Sequence, residues 1–245
     1  MTKCKFLITA LGLLASSITF QSCLDDDNDN IELRRPTAIV TVSPIDDGSF
    51  MMYLDKSTVL IPSNMNKSPY GNKEVRALVN YTEESPASYG ADVRNVKVNW
   101  LDSIRTKMPV VITDAEDINQ FANDPIEIVK DWVTVAEDGY LTLRIRTTWG
   151  PSHTPHYIDL VSGTNADDPY ELVLRHDAKG DTGGRIGDGL IAFNLNKLPH
   201  HGIDMKIKLK WQSFTGPKSA ELDIDMREFT HDPSINSDIC KMPIK

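Results

Sequence analysis

The alternation of apolar and polar residues is clearest near the far end of the chain. Met205, Ile207, Leu209 and Trp211 alternate with Lys206, Lys208 and Lys210, and Leu222, Ile224 and Met226 alternate with Glu221, Asp223 and Asp225. A period of two marks a strand with one buried face. An antiparallel register that sets Lys210 against Glu221, Lys208 against Asp223 and Lys206 against Asp225 also sets Leu209 against Leu222, Ile207 against Ile224 and Met205 against Met226. A slip of one residue would oppose lysines to leucines, so the pattern predicts this hairpin in this register. Upstream, strands over 132–136 and 140–146 flank Glu137-Asp138-Gly139. A three-residue hairpin loop places its third residue in the left-handed region, which suits Gly139 and predicts Val135 opposite Leu141 and Val133 opposite Leu143. Further strands are expected over 156–161, 170–175 and 189–194, making an antiparallel sandwich of about seven strands.

The first half carries shorter apolar runs. Strands are expected over 37–42, 50–54, 58–61, 74–81 and 95–101, punctuated by Asp46-Asp47-Gly48, Pro62 and two loops rich in proline and glycine. Five short strands at such spacing suggest a small barrel or sandwich. Between the halves, Thr113 and Glu116 have capping-box spacing and Asn123 and Pro125 supply stop signals, so a short helix is expected over 114–122.

The front of the chain has a different pattern. Lys3 and Lys5 precede an apolar stretch from Phe6 to Ala15, and small and polar residues lead to Cys23. This is the layout of a secretory signal peptide, and the apolar run is shorter than the roughly 20 residues a spanning helix needs. Phe20-Gln21-Ser22-Cys23 resembles the bacterial lipobox, which implies cleavage before Cys23 and acylation of that residue; several chains anchor a protein stably. Asp25-Asp26-Asp27-Asn28-Asp29 is a self-repelling tether. It also resembles the acidic tract that sends lipoproteins of Gram-negative gut and oral anaerobes to the outer face of the outer membrane.

Charge and cysteine content narrow the options. The chain has 26 basic and 35 acidic residues, a net of −9, and loss of Lys3 and Lys5 takes a processed chain to −11. Residues 36–110 carry eight of each sign. A small barrel without a basic groove is a poor fit to an oligonucleotide, so no nucleic-acid partner is expected. With Cys4 removed and Cys23 acylated, Cys240 is the one thiol left of the three cysteines, and no internal disulfide can form.

Candidate chemistry is sparse. His153 and His156 have a His-x-x-His spacing and His200-His201 form a second pair, but Pro155 breaks any helix that would align the first, and no further ligand motif accompanies them. The stretch 176–189 holds Asp177, Asp181 and Asp188 among glycines; its spacing is not that of an EF-hand, so a long connection is expected and a calcium site stays open. No nucleophile elbow occurs, and Cys240 sits in a terminal tail. Neither an enzyme nor a metal or other cofactor is expected. Tyr70 and Tyr89, each in a loop beside proline and glycine, are candidate contact residues. Of Trp100, Trp132, Trp149 and Trp211, three fall in strand patterns; Trp149, before Gly150-Pro151, is expected to be the exposed one and a candidate for sugar stacking.

The segments 36–50 and 73–81, with Asp124-Pro125-Ile126, Asp131-Trp132, Asp138-Gly139-Tyr140-Leu141-Thr142-Leu143, Pro169-Tyr170-Glu171-Leu172 and Gly189-Leu190-Ile191-Ala192-Phe193, resemble the NigD-like lipoprotein family. The resemblance implies an all-β chain: an OB-type barrel followed by an antiparallel β-sandwich. The expected plan is a signal peptide over 1–22, a tether over 23–35, the barrel over 36–112, a linker over 113–125 and the sandwich over 126–245. The family's association with a bacteriocin locus implies an immunity-type binding module acting on a secreted protein toxin. The alternative is an envelope structural or glycan-handling accessory. No catalytic residues are carried over.

Overall fold

The computed structural model describes residues 33–45, 48–86, 93–152, 154–198 and 204–226. Two all-β units follow one another. The first is a closed barrel of β1 (Ala38–Pro44), β2 (Phe50–Tyr53), β3 (Val59–Pro62), β4 (Val75–Pro86) and β5 (Val93–Ser103), in the order β1-β2-β3-β5-β4. Only β3 and β5 run parallel. Alternate residues fill the interior: Val40 and Val42, Phe50 and Met52, Ala77 and Val79, Val96 and Val98. Closure removes the exposed edges that strands this short would otherwise present.

The barrel ends at Ser103, earlier than the expected boundary at Ile112. The next two short strands, β6 (Thr106–Lys107) and β7 (Val110–Val111), already belong to the sandwich, one in each sheet. A 3-10 helix, Ala115–Gln120, stands where a helix was expected; Asp114, rather than Thr113, caps it by accepting from the Glu116 amide at 2.9 Å. The remaining strands are β8 (Glu127–Ile128), β9 (Val135–Glu137), β10 (Tyr140–Trp149), β11 (Tyr157–Ser162), β12 (Glu171–Asp177), β13 (Arg185–Asn194), β14 (Asp204–Ser213) and β15 (Gly216–Asp225). One sheet runs β6-β13-β10-β8 with β9 also on β10, and the other runs β15-β14-β12-β11-β7. The seven expected strands all have counterparts, joined by the two-residue β6, β7 and β8, but 132–134 forms a turn, so β9 keeps only 135–136 of the expected 132–136. Leu141, Leu143, Ile145, Leu160, Leu172, Phe193, Ile207 and Ile224 form the core between the sheets.

Both predicted hairpins form, each in a different register. At β9 and β10, Ala136 faces Leu141 and Val135 faces Thr142, one residue from expectation. The loop has two residues because Asp138 at φ 52° and Gly139 at φ 73° both adopt the left-handed region. Such a turn matches the right-handed twist of the strands it joins. Val133 and Val135 therefore point away from the sandwich core and toward the barrel. At β14 and β15 the register is two residues from expectation: Lys206 faces Asp223, Lys208 faces Glu221 and Lys210 faces Ser219. A period-two pattern cannot distinguish registers that differ by two, and the tight Phe214-Thr215 turn selects this one. The buried face is unchanged, but Lys210 and Lys208 reach Glu171 on β12, at 2.5 and 3.2 Å. Burial alone would raise the Glu171 carboxyl; the two lysines outweigh it and leave its pKa below the ordinary value.

The outward faces of β1 and β4 are buried too, because the sandwich packs on them. Ile39 and Leu78 meet Val133, Val135, Leu190, Ala192 and Ile104 in one apolar cluster. Beside it Arg76, 0% exposed, donates to Thr41 Oγ1 at 2.9 Å on the barrel, and to Thr142 Oγ1 at 3.4 Å and Glu137 Oε1 at 2.7 Å on the sandwich. Its guanidinium carbon lies 5.6 Å from the Tyr140 ring centre, and the Tyr140 hydroxyl donates to Glu74 at 2.6 Å. Burial raises the Glu137 pKa, and the charge of Arg76 opposes that rise. A charge removed from water requires a partner of opposite sign, and Glu137 supplies it across the domain boundary.

Candidate functional site

His156 does find partners, though not the one its spacing suggested. It precedes β11 and stacks on Trp149 at the end of β10, with ring centres 4.3 Å apart. His176 on β12 approaches from the other side, its Nε2 at 2.9 Å from His156 Nδ1. His176 Nδ1 lies 3.2 Å from the Pro125 carbonyl, which only accepts, so His176 donates there and receives the His156 Nδ1 proton at Nε2. His156 Nε2 then faces Asp181 Oδ2 at 3.6 Å. Asp181 accepts from Ser152 Oγ at 2.5 Å and from the Gly150 amide at 3.0 Å. Ser152, through its hydrogen bond, and these amide contacts hold the Asp181 pKa down, while burial lowers that of His176. The serine donates to the carboxylate rather than to an imidazole, and the His156 side chain is only 1% exposed. The order is wrong for a nucleophile relay. The network instead ties together β10, β11, β12 and the segment that follows β12.

The aspartates of 176–189 are dispersed. Asp177 pairs with Lys179 at 2.5 Å, Asp181 joins the histidine network, and Asp188 binds Arg144 and Arg146, each at 2.6 Å. Among the described residues no group of three or more His, Cys, Asp or Glu could hold a metal ion. Two of the glycines here serve close packing: a Cβ on Gly184 would lie 1.8 Å from the Trp149 carbonyl oxygen, and one on Gly187 2.7 Å from the Trp149 ring. Only the first part of the stretch is a connection, since β13 already begins at Arg185.

Trp149 is therefore a half-buried strand residue whose Nε1 donates to the Gly187 carbonyl at 3.1 Å. The exposed tryptophan is Trp132, at 53%. Tyr70 folds back onto the barrel core, where burial and the charge of Asp102 raise its pKa. Cys23, Tyr89, His153, His200, His201 and Cys240 lie outside the described residues.

Three features escaped sequence reasoning. Arg76 sits in the apolar run of β4, and a charge at such a position was the available signal. His176 gave none, because its partner is 20 residues away. The third is a cleft of about 440 Å³ lined by Ile128, Leu143, Leu209, Trp211, Ala220 and Leu222, with Lys130, Asp131 and Thr134 completing its wall. Asp131 is committed to Arg144 at 2.6 Å. The cleft is adjoined in sequence by Trp132 and offers apolar surface without paired acid and base, which suits binding rather than proton transfer.

A five-stranded barrel of this strand order joined to a two-sheet sandwich defines a two-domain, all-β architecture. Residues 39–104 match the model of the NigD-like N-terminal OB domain and residues 109–224 that of the NigD-like C-terminal beta sandwich domain. The chain belongs to the NigD-like family. Among solved structures, a protein from Parabacteroides distasonis named as toxin-related is 28% identical with a TM-score of 0.63, over 84% of this chain and 98% of that one. A NigD-like immunity protein from Bacteroides caccae is 21% identical with a TM-score of 0.53, over 76% of this chain and 92% of that one. A protein from Bacteroides fragilis named as a lipoprotein is 13% identical with a TM-score of 0.55, over 78% and 97%. The last two show a shared fold. No curated protein matches the chain. Among the described residues no helix is long and apolar enough to cross a membrane.

Proposed function

We propose that this protein is a lipoprotein of the outer membrane, anchored through Cys23 and exposed at the cell surface, that serves as a non-enzymatic binding module of the bacteriocin-immunity type. The observation that carries this reading is the apolar cleft, whose wall residue Asp131 is followed in the chain by the exposed Trp132. An apolar socket next to a large exposed aromatic is the usual anatomy of a protein-binding hot spot. The acid excess of the chain, −9, would steer a basic secreted protein toward it. The loops that carry Tyr70 and Tyr89 are further contact candidates, with the Tyr70 ring itself packed onto the barrel core.

The tether supports anchorage close to the bilayer. The Trp100 Nε1 donates to the Leu33 carbonyl and Asn80 Nδ2 to the Arg35 carbonyl, both at 2.6 Å, so the chain is fastened to the barrel by Leu33. Ten residues from Cys23 to Leu33, at roughly 3.3 to 3.6 Å each, reach about 35 Å at most. An acylated Cys23 would keep the barrel within that distance of the membrane. The test is deletion of the gene followed by exposure to secreted toxins of strains from the same community. Sensitivity to one toxin, restored to resistance by the wild-type protein but not by Trp132→Ala, is expected. Unchanged sensitivity to all of them would refute the immunity reading.

A further inference from the structure

Arg175 projects from the outer face of β12, and its Nε is buried without a hydrogen-bond partner. The other buried or partly buried basic side chains among the described residues each hold a carboxylate: Arg76 has Glu137, Arg94 has Glu83, Lys56 has Asp225, Lys107 has Asp159, Lys208 and Lys210 share Glu171, and Arg144 has Asp131 and Asp188. Asp159, directly across the strand pair from Arg175, is the carboxylate already taken by Lys107. Burial depresses the Arg175 pKa with no neighbouring charge to offset it. Arg175 lines a cavity of about 400 Å³ on this outer face, together with Lys210, Lys218, Asn123, Gln212 and Ser219. No carboxylate residue lines it. Buried donors left without acceptors are costly unless something fills the site.

We propose that this cavity binds a small polyhydroxylated ligand carrying one oxyanion, a sugar acid or a sugar phosphate. Arg175 receives the anion, because a guanidinium presents paired donors that match a carboxylate or phosphate. Asn123, Gln212 and Ser219 meet the hydroxyls. Val173 and Pro217 give the apolar wall that a sugar ring needs. This inference goes beyond toxin binding and does not rest on it, since Arg175 is not part of the apolar cleft; it gives the glycan-handling alternative a defined site.

The experiment is calorimetric titration of the detergent-solubilised full chain with glucuronate, glucose 6-phosphate, inorganic phosphate and glucose. Saturable binding of glucuronate or of glucose 6-phosphate is expected, and which one binds names the anion. Arg175→Gln weakens that binding about tenfold or more, Lys97→Gln on the barrel leaves it unchanged, and Gln212→Leu weakens the sugar ligand but not phosphate. Thermal unfolding of Arg175→Gln is expected at or above the wild-type midpoint, because an unpaired half-buried charge is removed. Glucose bound as tightly as the anions, phosphate bound as tightly as either charged sugar, no binding, binding indifferent to Arg175→Gln, or a midpoint lowered by several degrees would each overturn the proposal.

Discussion

Arg76 is the buried cation at the junction between barrel and sandwich, and replacing it with methionine tests how far the junction depends on it. Arg76 is 0% exposed and Glu137 keeps 26% of its side-chain surface, so the loss of Arg76 leaves a largely buried carboxylate without its countercharge. It also leaves the hydroxyls of Thr41 and Thr142 without their donor. Breaking one side of a buried pair costs about 3 to 5 kcal/mol. For a chain of this size 1 kcal/mol moves the midpoint by roughly 2 to 4 °C, so Arg76→Met should lower it by about 6 to 20 °C. Adding Glu137→Gln removes the stranded charge and should recover more than half of the loss, because replacing both partners is far less costly than removing one. Thermal and urea unfolding of the two variants and wild type make the comparison. With its carboxyl pKa raised by burial, Glu137 binds its proton more readily folded than unfolded, so the single variant should regain stability as the pH falls through the carboxylate range. A loss below about 1 kcal/mol, or a double variant no better than the single, would show that the apolar cluster holds the domains together unaided.

Acid should act oppositely at Asp188. Hydrogen bonds and charges from Arg146 and Arg144 take its pKa down from the ordinary value of 3.8 to about 2, so its contribution is complete above pH 4 and is lost as the pH falls toward 2. Asp188→Asn should flatten that part of the acid-unfolding curve, and an unchanged curve would remove the pair from the account. Near neutrality His176, its pKa lowered by burial, should destabilise the fold as the pH falls below about 6.5, the value expected when unfolded; His176→Gln should lose that dependence. Gly163 has φ 85° and a Cβ there would lie 2.1 Å from the Ile112 carbonyl oxygen, so Gly163→Ala should lower the unfolding free energy by more than the roughly 1 to 2 kcal/mol of the left-handed conformation alone, read by thermal or urea unfolding. Protease applied to intact cells should remove the protein, and Cys23→Ala should abolish both palmitate incorporation and membrane retention.

The sequence by itself determined the elements and their order. Alternation at 205–211 and 222–226, the short apolar runs before Leu101 and the turn residues between them carry a signal that depends only on neighbours along the chain. They placed five barrel strands and seven sandwich strands, β9 only in part, and the buried face of the terminal hairpin. Register lay beyond them. Slipping β14 against β15 by two keeps every apolar residue inward, and only the Phe214-Thr215 turn and the pull of Glu171 on Lys208 and Lys210 select one pairing. The β9 register turned on whether the loop held two or three residues, which the backbone of Asp138 decides. The candidate site was legible least of all. Trp149 looked exposed because Gly150-Pro151 follows it, yet β13 passes beneath it and His156 stacks on it. Arg76 and Arg175 look alike in the sequence, a single cation in a strand; the fold brings Glu137 to the first and no carboxylate partner to the second. Pairing across 61 residues depends on how two sheets close over one another, and that is settled only when the tertiary structure forms.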